Sequence, residues 1–213
     1  MNESFEKYYI KKDYKNAINT LIKTSKAYDS GIYHYNLGTA YTQLNEYPIA
    51  RFHFEKSINA GFSGLALENN LKIVKNYLQT EEVENSGDVL DFVTNFGVEF
   101  PRSAFITLII LILFVSLKFV FVDKVLNKFR LCIALILLFI PFGIKFFYIN
   151  TLKVAVVFQE SPLLEGPSKI FEEKNKVKAG TKIILDNSNK DWVHIKNPRS
   201  LSGWIKKDNL GYL

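Results

Sequence analysis

The sequence predicts a multidomain membrane protein that joins an α-helical repeat domain, a transmembrane helical hairpin and a small all-β barrel. Three observations carry this prediction. Two long apolar segments, 103–122 and 131–149, flank eight mostly polar residues. Ahead of them, apolar and aromatic positions recur at helical spacing and repeat at an offset of 33 residues. Behind them, the pattern turns to short β-type runs separated by Gly, Pro, Asn and Asp.

The first apolar segment has 20 residues and a single charge, Lys118; the second has 19 and a single charge, Lys145. As helices they reach about 28–30 Å, the thickness of a hydrocarbon core, and the rest of the chain is too short and polar to cover two helices that are apolar all round. Two spans return the chain to the side it started from, so both terminal regions are expected in one compartment. Lys118 and Lys145 fall near opposite bilayer faces, where each can snorkel, and Pro141 is expected to kink the second span. Lys124, Lys128 and Arg130 in the loop 123–130 face one acid, Asp123. The positive-inside rule therefore favours a cytoplasmic loop and external terminal domains.

Charge is unevenly placed. Residues 1–100 hold 10 Lys+Arg against 13 Asp+Glu, residues 101–153 hold 7 against 1, and residues 154–213 hold 10 against 7. The positive excess sits beside the apolar segments, which suits anionic lipid headgroups better than nucleic acid. The lone Cys132 can form no intramolecular disulfide. Residues 1–13 are polar and charged with no apolar core, so the hairpin is expected to direct its own insertion.

Residues 1–78 read as helices broken near Ser30, Asn45 and Gly61, with 65–78 as a capping helix. The 33-residue offset aligns Tyr8 with Tyr41, Tyr14 with Tyr47, Ala17 with Ala50 and Leu21 with Phe54. Within 31–62, Leu37, Gly38, Tyr41, Tyr47, Ala50 and Phe54 resemble the packing positions of the tetratricopeptide (TPR) repeat, departing at His34, Ser57 and Phe62. The resemblance implies a TPR solenoid of roughly two repeats and a cap. Its concave face would present Tyr35, Asn36, Thr39, Thr42 and Gln43 to a protein partner, with the Asn36 amide offering both donors and an acceptor. Residues 79–100 read as an acidic linker, 101–152 as the hairpin, and 153–213 as the β domain.

In the β domain, strand runs are expected at 154–158, 182–185, 192–196 and 203–205. Val193 and Ile195 fall on one strand face as core, leaving Trp192 and His194 on the other. Glu165, Gly166, Pro167 and Ser168, then Ala179, Gly180 and Thr181, then Asp191, Trp192 and Val193, and finally Gly203, Trp204 and Ile205 resemble the ordered elements of a bacterial SH3 domain. Trp192 and Trp204 serve core packing and a ligand surface equally well by residue type.

The order of TPR segment, two-span hairpin and SH3 segment resembles the BatE-like proteins of the Bat aerotolerance operon. That resemblance implies a membrane-anchored scaffold in the bacterial inner membrane, with periplasmic terminal domains. It would work in the cell envelope beside von Willebrand A-domain membrane proteins and a MoxR-type ATPase. No enzyme is expected: His34, His53 and His194 show no shared metal-ligand spacing, and no phosphate loop, G-x-S-x-G or H-E-x-x-H occurs. No cofactor or metal is implied. Two function classes stand: a scaffold that recruits proteins through the helical face, and a cell-wall reader whose SH3-like segment binds peptidoglycan peptides.

Overall fold

In a computed structural model of the chain, residues 4–80, 102–121 and 151–213 are described, with the single positions 136 and 143. Two compact units are present, Met1–Ser86 with Lys153–Leu213, and Gly87–Leu152.

The first unit begins with five helices: α1 Phe5–Ile10, α2 Tyr14–Lys23, α3 Ser30–Gln43, α4 Tyr47–Asn59 and α5 Leu65–Leu78. Local chemistry sets their ends. Asp13 and Asp29 cap α2 and α3 by accepting from Asn16 N and Gly31 N. The breaks at Asn45 and Gly61 take the left-handed region, at φ 60° and 92°. Gly38 lets α3 and α4 close on each other, since a Cβ there would stand 2.6 Å from the Phe54 ring. Two of the departures from the repeat pattern have local partners. Ser57 is buried and donates to Gly31 O at 2.7 Å, and the Phe62 Cβ occupies the space beside Gly31.

The same unit ends in seven antiparallel strands: β1 Lys153–Val157, β2 Ser161–Leu164, β3 Glu173–Val177, β4 Lys182–Asn189, β5 Trp192–Asn197, β6 Gly203–Lys206 and β7 Leu210–Tyr212. Their order is β3-β2-β6-β5-β4-β1-β7. All seven feed one apolar cluster, which includes Ala155, Leu163, Val177, Ile183, Val193, Ile205 and Leu210, so the sheet is bent around its own core.

Helices and sheet meet at α4. Arg51 is fully buried and donates from Nη1 to Gly180 O at 2.9 Å and to Thr80 Oγ1 at 3.1 Å. Glu55 Oε2 lies 2.8 Å from Lys182 Nζ, and its Oε1 lies 3.8 Å from Arg51 Nε. Around this charged centre Phe52 packs edge-on against Phe158, and Leu78 and Phe158 fill the space beside Gly180 and Gly211. Burial alone would raise the Glu55 carboxyl, but Lys182 and Arg51 hold it below its ordinary 4.5.

These observations correct the expected fold class in three places. The helices are not a TPR solenoid. Such a stack needs about three equivalent pairs; here only α3–α4 is a full pair, α1 is six residues long, and α4 packs on the single helix α5 and on the sheet. The strands do not close into an SH3-like barrel, because β3 and β7 stand at the two edges, each paired on one side. The transmembrane hairpin is not supported either. The first apolar segment forms a single helix, α6, Arg102–Phe121. Among the described residues no helix is long and apolar enough to cross a membrane. The loop 123–130, Cys132, Pro141, Lys145 and nearly all of the second segment lie outside the described residues, as does the linker from 81 to 100.

Removing Lys182 strands a buried carboxylate, which costs about 3–5 kcal/mol when a buried ion pair is broken. Lys182→Met is therefore expected to lower the urea midpoint sharply. Because the folded carboxyl sits below 4.5, its stabilisation is complete above that pH and fades as pH falls through the folded value. In Glu55→Gln the urea midpoint should lose that dependence below pH 4.5.

Candidate functional site

Strand β2 pairs with β6 at a single position, Leu164 opposite Trp204. Continuing that register would set Pro162 opposite Lys206. Glu165 N–H bonds Glu172 O on the β3 side, so backbone alternation turns Leu164 and Pro162 toward β6. Pro162 has no N–H to give, and the ladder stops there.

Where the ladder stops, a cleft of about 360 Å³ opens. Pro162, Leu164, Phe171 and Trp192 line it with apolar surface, and Lys169, Lys206 and Glu173 place charges around it. Trp192 lies directly across from Lys206 in the β5–β6 register, with the ammonium 5.9 Å from its ring centroid. Phe171 stands over Gly166, where a Cβ would meet the ring at 2.6 Å. Asn209 donates to Ser161 Oγ at 3.0 Å and Ser161 donates to Gln159 O at 2.9 Å, which ties the strand entry to the β6–β7 connection.

Val193 and Ile195 are buried in the core, and Trp192 lies on the opposite strand face but is covered down to 9 % exposure. Trp204 lies outside the cleft and packs against His194, with centroids 5.4 Å apart. The helical candidates are more committed. Tyr35 packs on Phe54 and Phe62, Thr39 donates to Tyr35 O, and Thr42 donates to Gly38 O. Asn36 is half-buried on α3, and Gln43 is exposed.

The structure also joins two histidines that sequence spacing leaves apart. His34 Nδ1 and His53 Nδ1 lie 3.0 Å from each other, and His53 stacks on Tyr41 at 5.4 Å. The signal was available in the hairpin. Antiparallel helices oppose residues equidistant from their loop, as Gly31 and Ser57 do, and His34 and His53 are placed the same way. Among the described residues no three His, Cys, Asp or Glu gather as metal ligands. Burial, with His34 and Lys56 adding positive charge, pushes His53 down to about 3; burial and Lys56 lower His34 as well.

Comparison with known families, curated proteins and solved structures returns no match, so the functional reading rests on this geometry.

The histidine pair predicts acid lability. An unfolded histidine takes up its proton near pH 6.5 while folded His53 resists until about 3. Stability should therefore fall through that window, by up to about 1.4 kcal/mol per pH unit for one proton. His53→Phe, which keeps a ring against Tyr41, should flatten the urea midpoint between pH 6.5 and 4.5 relative to the parent chain.

Proposed function

We propose that this chain is a peptide-binding protein whose β-domain cleft takes an extended, proline-containing segment of a protein partner. The break in the β2–β6 ladder carries this reading. It leaves a cleft of about 360 Å³ at the end of the β2–β6 pairing, walled by Trp192, Phe171 and Pro162. Pre-extended proline segments dock in aromatic-lined slots at low ordering cost, and Lys169 and Lys206 suit an acidic residue or terminal carboxylate beside them.

Titrating the full chain with P-x-x-P peptides ending in an acidic residue should change tryptophan fluorescence saturably. Trp192→Ala is expected to weaken binding at least tenfold, about 1.4 kcal/mol, and Lys206→Ala to remove the preference for the acidic end. Tyr35→Ala with Asn36→Ala should leave the affinity unchanged. Loss of binding in that helical variant alone would return recognition to the α3 face. Retention on purified sacculi, with no response to peptides, would move it to cell-wall stems.

A further inference from the structure

Farther along the same outer sheet face, about 7 Å from the cleft wall at Trp192, three side chains form a line. His194 Nδ1 lies 2.9 Å from Asp186 Oδ1, and His194 Nε2 lies 3.4 Å from Ser202 Oγ. One imidazole is therefore shared between a carboxylate and a hydroxyl. A carboxylate on Nδ1 keeps the ring proton there and leaves the Nε2 lone pair toward the hydroxyl, the polarity that a nucleophile, base and orienting acid require.

Each member is held by something other than the line itself. The Asn187 N–H donates to the same Asp186 oxygen at 2.6 Å. Burial would raise this carboxyl, but the bonds from His194 and Asn187, with Lys196 nearby, hold it below the usual carboxylate range, so it is ionised at neutral pH. Trp204, directly across from His194 in the β5–β6 register, flanks the imidazole. Ser202 follows the 3₁₀ turn Arg199–Leu201, and its N–H bonds Arg199 O. Ser202 is exposed and the His194 side chain is 24 % exposed, so a small molecule can reach both.

We propose that Ser202 is an activated nucleophile that accepts an acyl group from aryl esters, whose ring Trp204 can flank. Ser202 Oγ bonds to the ester carbonyl carbon while its proton passes to His194 Nε2. The carbonyl–oxygen bond to the aryl group then breaks, and His194 returns the proton to the departing aryloxide. The products are O-acyl-Ser202 and a phenol. Because the Ser202 N–H is engaged by Arg199 O, it adds no stabilisation to the tetrahedral oxyanion. The reaction accordingly needs a good leaving group, and attack of water on the acyl-serine is slow.

The test mixes full-length protein with p-nitrophenyl acetate and follows p-nitrophenolate release by stopped flow. A burst of one equivalent per chain, then slow turnover, is expected, with one acetyl group located on Ser202 by peptide fragmentation. Ser202→Ala should abolish the burst, Ser200→Ala should leave it intact, and His194→Gln should slow it by about 10²–10⁴. Asp186→Asn should slow the burst while melting temperature stays near the parent's. The proposal is overturned if no burst occurs, if Ser202→Ala bursts like the parent, or if acetyl groups are found on lysines or His194 and not on Ser202.

Discussion

The buried contact of Arg51, Glu55 and Lys182 is the constraint on which the remainder of the first unit depends. It joins a helix near one end of the chain to a strand near the other, with 129 residues between Arg51 and the Gly180 carbonyl it binds. Charges this deep are tolerated only when each finds an opposite charge or a carbonyl, because removing them from water costs several kcal/mol apiece. The contact is therefore selective. A helix docked one turn away would leave Glu55 beside apolar surface and Lys182 without its carboxylate. With α4 seated on β1 and the start of β4, the orientation of the sheet follows, and with it the outer face that carries the cleft and the Asp186–His194–Ser202 line.

The cleft on that outer face lies where the β2–β6 pairing ends, and Lys169 and Phe171 of the β2–β3 connection also line it. A proline in the interior of a sheet removes a ladder bond, and β2 places Pro162 on the side facing β6. The free edge at β3 is defended differently. Glu173, Lys174 and Lys176 are exposed along it, and charged edges discourage the addition of another strand. The apolar surface of the cleft, from Trp192 and Phe171, lies away from that charged edge. His194 and Trp204 lie next along the same face, so the cleft and the proposed serine chemistry occupy neighbouring positions without sharing residues.

Much of the helical region was legible from local chemistry. Ser30, Asn45 and Gly61 mark breaks because capping and left-handed φ are properties of single residues and their immediate neighbours. The strand starting at Trp192 was equally legible, since Val193 and Ile195 alternate with polar partners. Strands β2, β3 and β7 were not. Pro162 argues against a strand, Glu173–Val177 is charged and exposed, and Leu210–Tyr212 is too short to show a period. The histidine pair was legible only by folding α3 and α4 into an antiparallel hairpin, since 19 residues separate its members. The cleft depended on the unread strand β2, so Trp192 could be singled out by type while its surroundings could not.

By itself the sequence determined the helix breaks near Ser30, Asn45 and Gly61, the strand at Trp192, and the apolar face that Val193 and Ile195 share. These follow from periods of 3.6 and 2 and from the backbone preferences of Gly, Pro, Asn and Asp. Tertiary structure alone decided that the helices lie on the sheet instead of stacking as a solenoid, that the strands stay open, and that Asp186, His194 and Ser202 meet. Those outcomes rest on contacts between residues far apart in the chain. Their free energies come from burial and charge pairing in three dimensions, and no local period records them.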